Sequence, residues 1–89
     1  GIVAVTSAVT ASLFSTHLLR GHISMSLPLA VAGDWVKVSN RITSSYAHLV
    51  PGGAQKIMGS TDSLQIDSDN AGFELIYADS TDGWVIIGQ

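Results

Sequence analysis

The residues best spaced for metal chemistry are Asp67-Ser68-Asp69-Asn70-Ala71-Gly72. Alternating carboxylates with glycine at the sixth position match the opening of a calcium loop, where short oxygen-bearing side chains wrap a hard cation. The match then ends. Its fifth position is Ala71, and its twelfth is Ala78 where a bidentate glutamate belongs. An Asx-rich turn accounts for the same residues with fewer demands. Among nitrogen ligands, His17 and His22 are five apart with no carboxylate between them, which is not the spacing of a helical zinc motif. Surface or hydrogen-bonded histidines are the expected reading of His17, His22 and His48. No metal and no cofactor is expected.

Nucleophilic and acid–base chemistry finds as little support. Ser, His and Asp are all present, but no Gly-x-Ser-x-Gly elbow positions a serine. Glycoside hydrolysis needs two carboxylates across a cleft, for which so small a domain has little room. Gly52-Gly53-Ala54-Gln55-Lys56 is glycine-rich before a lysine. It lacks the Gly-Lys-Ser/Thr ending and the following helix of a phosphate loop, so it reads as a turn. The chain is not expected to be an enzyme.

The aromatic residues carry more weight. Trp35, Tyr46, Tyr77 and Trp84 combine large apolar area with a polar handle, the traits of interface anchors and sugar platforms. Core packing is the first reading of the two tryptophans. Trp35, Tyr46 and Trp84 are retained as candidate contacts for a ligand or a neighbouring subunit.

Composition bounds what these residues can serve. The 89 residues make one small domain whose core is marginal alone, with residues 1–12 a candidate extended arm or linker. Apolar residues are 46% of the chain and charged residues only 12%, about half of the ~25% usual in soluble domains. Depletion of charge marks interface cores, and contiguous apolar surface marks contact sites. An obligate oligomer is therefore expected over a monomer coated with Ser, Thr and Gly. Six of the seven acidic residues follow Lys56, the last basic residue. No basic patch offers phosphate neutralisation, so nucleic acid is not an expected partner. The absence of cysteine removes disulfides and thiolate chemistry. The apolar start Gly1-Ile2-Val3-Ala4-Val5 lacks a methionine and the basic flank of a signal peptide, as in a processed chain or an excerpt. Thr6, Ser7, Thr10 and Ser12 interrupt it well short of the ~18 residues of a membrane span, so no insertion is expected.

The elements expected to hold these residues are short strands. Residues 2–5 form a β-branched run, and 13–19 reads as a second strand. His22–Leu27 alternates strictly, with Ile23, Met25 and Leu27 on one face, until Pro28 stops it. Gly33-Asp34 turns the chain into a strand over 34–39, with Val36 and Val38 facing one way and Trp35 and Lys37 the other. Asn40–Ser45 reads as a loop. Further strands are expected at 46–50, briefly at 56–58, and at 64–66, with Asp67–Asn70 a turn cluster. Phe73–Ala78 and Trp84–Ile87 flank the polar loop Asp79–Gly83 and form a C-terminal hairpin. No internal repeat occurs. About seven strands with turns between them predict an all-β fold, a small antiparallel sandwich or barrel.

Several of these segments together resemble a β-module of tailed-bacteriophage virion proteins, found in fibres, spikes and head decorations. The matching pieces are His22–Pro28, Ala32-Gly33-Asp34-Trp35-Val36-Lys37-Val38, Leu64-Gln65-Ile66-Asp67, Phe73-Glu74-Leu75-Ile76-Tyr77 and Asp82-Gly83-Trp84-Val85-Ile86, spread over residues 20–88. A glycine-bearing strand usual between the middle loop and the Leu-x-Ile segment is shortened here to Gly52-Gly53 through Gly59. The resemblance implies a structural or adhesive unit on the virion surface, usually trimeric. It implies contacts with other virion proteins or a host surface glycan, and no catalytic residue or cofactor.

Overall fold

The computed structural model describes residues 1–41, 46–68 and 71–88. Among them are nine strands and no helix: β1 Ile2–Val5, β2 Val9–Thr10, β3 Thr16–Leu19, β4 Ser24–Ser26, β5 Trp35–Asn40, β6 Ala47–Val50, β7 Leu64–Ile66, β8 Gly72–Asp79 and β9 Gly83–Gly88. They form two sheets. Sheet A has the order β1-β3-β5-β8-β9 and sheet B the order β2-β4-β6-β7.

The chain winds. From β1 to β6 each strand lies in the opposite sheet from the one before it, and within each sheet the successive strands run parallel. Ile2 thus sits beside Thr16, Thr16 beside Lys37, and Ser24 beside His48. After three such turns the chain reverses, and β7, β8 and β9 each join their sheet antiparallel. The all-β expectation holds, but the purely antiparallel sandwich or barrel does not. Alternation of apolar residues states which face is buried; it is the same for parallel and antiparallel neighbours, so strand direction was not contained in it.

Sheets A and B enclose one core. Leu19, Val36, Val38, Leu75, Tyr77 and Trp84 come from sheet A, and Met25, Ala47, Leu49 and Ile66 from sheet B. The expected inward faces Met25/Leu27, Val36/Val38 and Leu75/Tyr77 are all buried, with Ile23 packed against them. Residues 1–12 are no free arm, because β1 and β2 are the first strands of both sheets. The expected strand over 13–19 begins only at Thr16, since Phe14 holds a left-handed φ of 61° and turns the corner. Near 56–58 the chain makes only isolated bridges from Ile57 to Ser60 and Trp84. Residues 42–45 of the expected loop lie outside the described residues, whereas Asn40 itself ends β5 and is fully buried.

Buried and half-buried polar groups fasten coil to coil. His17 Nε2 accepts the Ser12 N–H at 3.0 Å, which places the ring proton on Nδ1, 3.1 Å from the Lys37 carbonyl. Asn40 Nδ2 donates to the Ser68 carbonyl at 2.8 Å. The Gln55 amide pairs with both backbone groups of Ala30, at 2.9 and 2.8 Å, and ties two corners together.

The C-terminal hairpin forms as expected, with longer strands and a tighter turn. Asp79 Oδ1 accepts the N–H groups of Thr81 and Asp82, and Gly83 has a φ of 70°. A Cβ on Gly83 would also collide with the Lys56 carbonyl. Gly83→Ala is therefore expected to destabilise the fold by at least about 2 kcal/mol, read as a lower urea midpoint at unchanged slope. Gly88→Ala, where a Cβ meets nothing, is expected to change stability by less than about 0.5 kcal/mol.

Candidate functional site

The three aromatic candidates occupy three different environments. Trp84 is 0% exposed, on the inner face of sheet A, with Tyr77 edge-on at 5.7 Å between ring centroids. A side chain without accessible surface touches no ligand, so Trp84 is a core residue in this fold. Its Nε1 is buried without a hydrogen-bond partner among the described residues, a local cost set against the large area its ring removes from water.

Trp35 lies on the outer face of sheet A. Val36 and Val38 point inward, so the pleat turns Trp35 and Lys37 outward together. Phe14 packs edge-on against it at 5.7 Å, and the Lys37 ammonium sits 5.2 Å from the ring centre. The corner at Phe14 is held by its N–H bond to the Trp35 carbonyl at 2.8 Å. Trp35 stands in register with Ile76, and Ile76 with Val85; Lys37 stands opposite Glu74. Leu18 and Ala4 form a parallel row beside them. This outer face carries half-buried apolar groups interleaved with Thr16, Ser39, Lys37 and Glu74.

Tyr46 precedes β6 and is 39% exposed. Two histidines approach its ring edge-on, His22 at 4.3 Å and His48 at 5.2 Å. His48 is aligned with Ser24 of β4 and Gln65 of β7. The group joins an aromatic surface to hydrogen-bonding side chains on sheet B. The periodicity of the chain flagged each of these residues singly; only the pairing of distant coils brings them together.

Chemistry-bearing groups do not converge elsewhere. Among the described residues no three of His, Cys, Asp and Glu come together to hold a metal ion. Of the calcium-like segment, Asp69 and Asn70 lie outside the described residues. Ala71 N–H bonds the Ser68 carbonyl at 3.3 Å, as a turn does. His17 uses both ring nitrogens in the core, and its role in joining coils has no signal in the sequence. One shallow groove crosses sheet A at Thr16, Lys37 and Glu74, and another is lined by Ser68, Ala71, Phe73 and Ile86. No helix is long and apolar enough to cross a membrane among the described residues.

A search against protein-family models finds no match to this chain, and a search of curated proteins finds none of significance.

The two tryptophans give a direct check on the faces. In Trp35→Phe the remaining Trp84 emission is expected to be blue-shifted and insensitive to iodide, whereas in Trp84→Phe the emission of Trp35 is quenched once the chain is diluted to monomer. Truncation separates them as well: Trp84→Ala is expected to cost about 3–5 kcal/mol, and Trp35→Ala roughly 1 kcal/mol, in chemical denaturation.

Proposed function

We propose that this chain is a structural subunit of a tailed-bacteriophage particle, a module of a fibre, spike or head decoration that works through protein–protein contacts and not by turnover. The observation that carries this reading is the outer face of sheet A. Leu18, Trp35, Ile76 and Val85 occupy outward positions there, and Lys37 and Glu74 are the charged residues among them. A face with these four apolar groups, two charges and the small polar residues Thr16 and Ser39, on a charge-poor chain, fits a contact surface. Copies of the chain join through it, and the resemblance to virion modules implies three of them on the exterior of the particle. Ser, Thr and exposed corner residues such as Leu29 and Val31 face other virion proteins.

Sedimentation velocity at micromolar concentration tests this reading. The wild-type chain is expected as a discrete oligomer, and Leu18→Lys or Ile76→Lys is expected to lower its mass. A monomer that melts cooperatively at those concentrations overturns it. Antibodies against the chain are expected to label the fibre, spike or head of a tailed particle in electron micrographs.

The exposed Tyr46 with His22 and His48 favours a second reading, a host-receptor or glycan-binding module at a fibre tip. An aromatic face beside hydrogen-bonding groups is what stacking on a sugar ring requires. Under this reading Tyr46→Ala abolishes retention on bacterial surface polysaccharide and leaves the oligomer intact. Equal retention of wild type and variant removes it.

A further inference from the structure

The two ends of the wound sheets are finished differently. At the C-terminal end, segment 56–60 covers the outer edge of β9. Trp84 N–H donates to the Lys56 carbonyl at 2.8 Å, Met58 N–H donates to the Trp84 carbonyl at 2.7 Å, and Ile86 N–H points to Met58 Sδ at 3.4 Å. Asp62 and Asp67 flank β7, the outermost strand of sheet B at that end; charges of this kind blunt a sheet edge. Neither device occurs at the other end among the described residues. There β1 and β2 are outermost, and residues 1–16 contain no ionisable side chain and no proline.

The backbone at that end points outward. Thr16 N–H donates to the Gly1 carbonyl at 2.8 Å and Arg20 N–H to the Val5 carbonyl at 3.0 Å, so the odd residues of β1 turn toward β3. Ile2 and Ala4 therefore aim their N–H and C=O groups away from the sheet. In β2, Ala11 N–H donates to the Ser26 carbonyl at 2.7 Å, which leaves Thr10 aimed outward in the same way. The core is unfinished there too. Val9 lies in register with Met25, and Met25 with Leu49; both of those are 0% exposed, yet Val9 is 45% exposed.

We propose that this end docks a second copy of the chain, the two molecules meeting about a twofold axis normal to both sheets. That rotation reverses strand direction, so β1 lies antiparallel to its own copy and β2 to its own copy. With Val3 opposite the partner's Val3, Ile2 and Ala4 exchange N–H···O=C bonds with the partner's Ala4 and the partner's Ile2. The outward-pointing residues are thus self-complementary in register, as a contact using one patch on both molecules requires. A second copy fits better than a charged partner because no side chain of residues 1–16 is charged. These side chains offer nothing to recognise a charge, and pairing with a copy sets no like-charged side chains together. The twofold also closes the two open cores against each other at Val9. The paired edge and the outer face of sheet A are separate surfaces, so the two contacts do not compete for the same residues.

The inference rests on the oligomeric reading above, and its test separates the two. Backbone hydrogen exchange of the 89-residue chain is followed against concentration, with mass from sedimentation equilibrium. The amides of Ile2 and Ala4, which β3 does not protect, are expected to exchange roughly tenfold or more slowly in the associated state than on dilution. Ala4→Pro deletes only an outward donor and Ala4→Lys adds a charge to the edge; each is expected to halve the particle mass with Trp84 emission unchanged. If Ile2 and Ala4 exchange freely in a chain that is still oligomeric, or Ala4→Lys leaves the mass unaltered, end-to-end pairing is overturned and the oligomer stands. A monomer at every concentration overturns both.

Discussion

Backbone hydrogen bonding along the coil axis is the constraint on which the molecule depends. Strands of two to six residues across β1–β6 cannot hold a sheet by themselves; each is held because the strand one turn away meets it in register. Side chains then have a fixed sense. Inward positions fill one core between the sheets, and outward positions are free to differ. The buried polar residues His17 and Asn40 and the half-buried Gln55 serve the same ladder: His17 bridges Ser12 to Lys37, Asn40 holds Ser68, and Gln55 clasps Ala30. All of them span turns of the winding and none faces a cleft. Polar groups that would attract attention as chemistry are here committed to architecture.

Surface follows from the same geometry. Pairing β3, β5 and the β8–β9 hairpin side by side gathers Leu18, Trp35, Ile76 and Val85 from three separate parts of the chain onto one face. Winding also aligns β4 with β6, which sets His48 beside the strand that follows His22, with Tyr46 between the rings. Neither surface belongs to a contiguous stretch of chain.

The alternating stretches were readable because a half-buried strand must alternate. Met25 and Leu27, Val36 and Val38, Leu75 and Tyr77 went inside as their period required, and Leu64–Ile66 formed a strand with the expected bounds. The hairpin was readable from Gly83, where a positive φ and a close approach to Lys56 both exclude a side chain. Direction was not readable. A repeat in space without a repeat in sequence leaves no period to detect, since the turns of the coil differ in length and the corners are unrelated. Val9–Thr10 is too short and too exposed to announce itself, and its place in sheet B comes only from Met25 and Ser26. Of the aromatic candidates, residue type could not divide Trp84 from Trp35. Both are tryptophans in β-branched runs, and the parity of their position in the pleat sends one inward and the other out.

Winding has a consequence for how the native state is reached. In a hairpin a strand finds its neighbour after a short turn, whereas here β1 must wait for β3 and β3 for β5, each across an excursion through the opposite sheet. Loop-closure entropy opposes every such encounter before any ladder bond rewards it, which places this topology among slow folders for its size. β8 and β9 are joined by a tight turn and meet without that delay. The hairpin is thus the segment best able to organise itself, and the earlier coils acquire order by templating against strands that follow them in the chain.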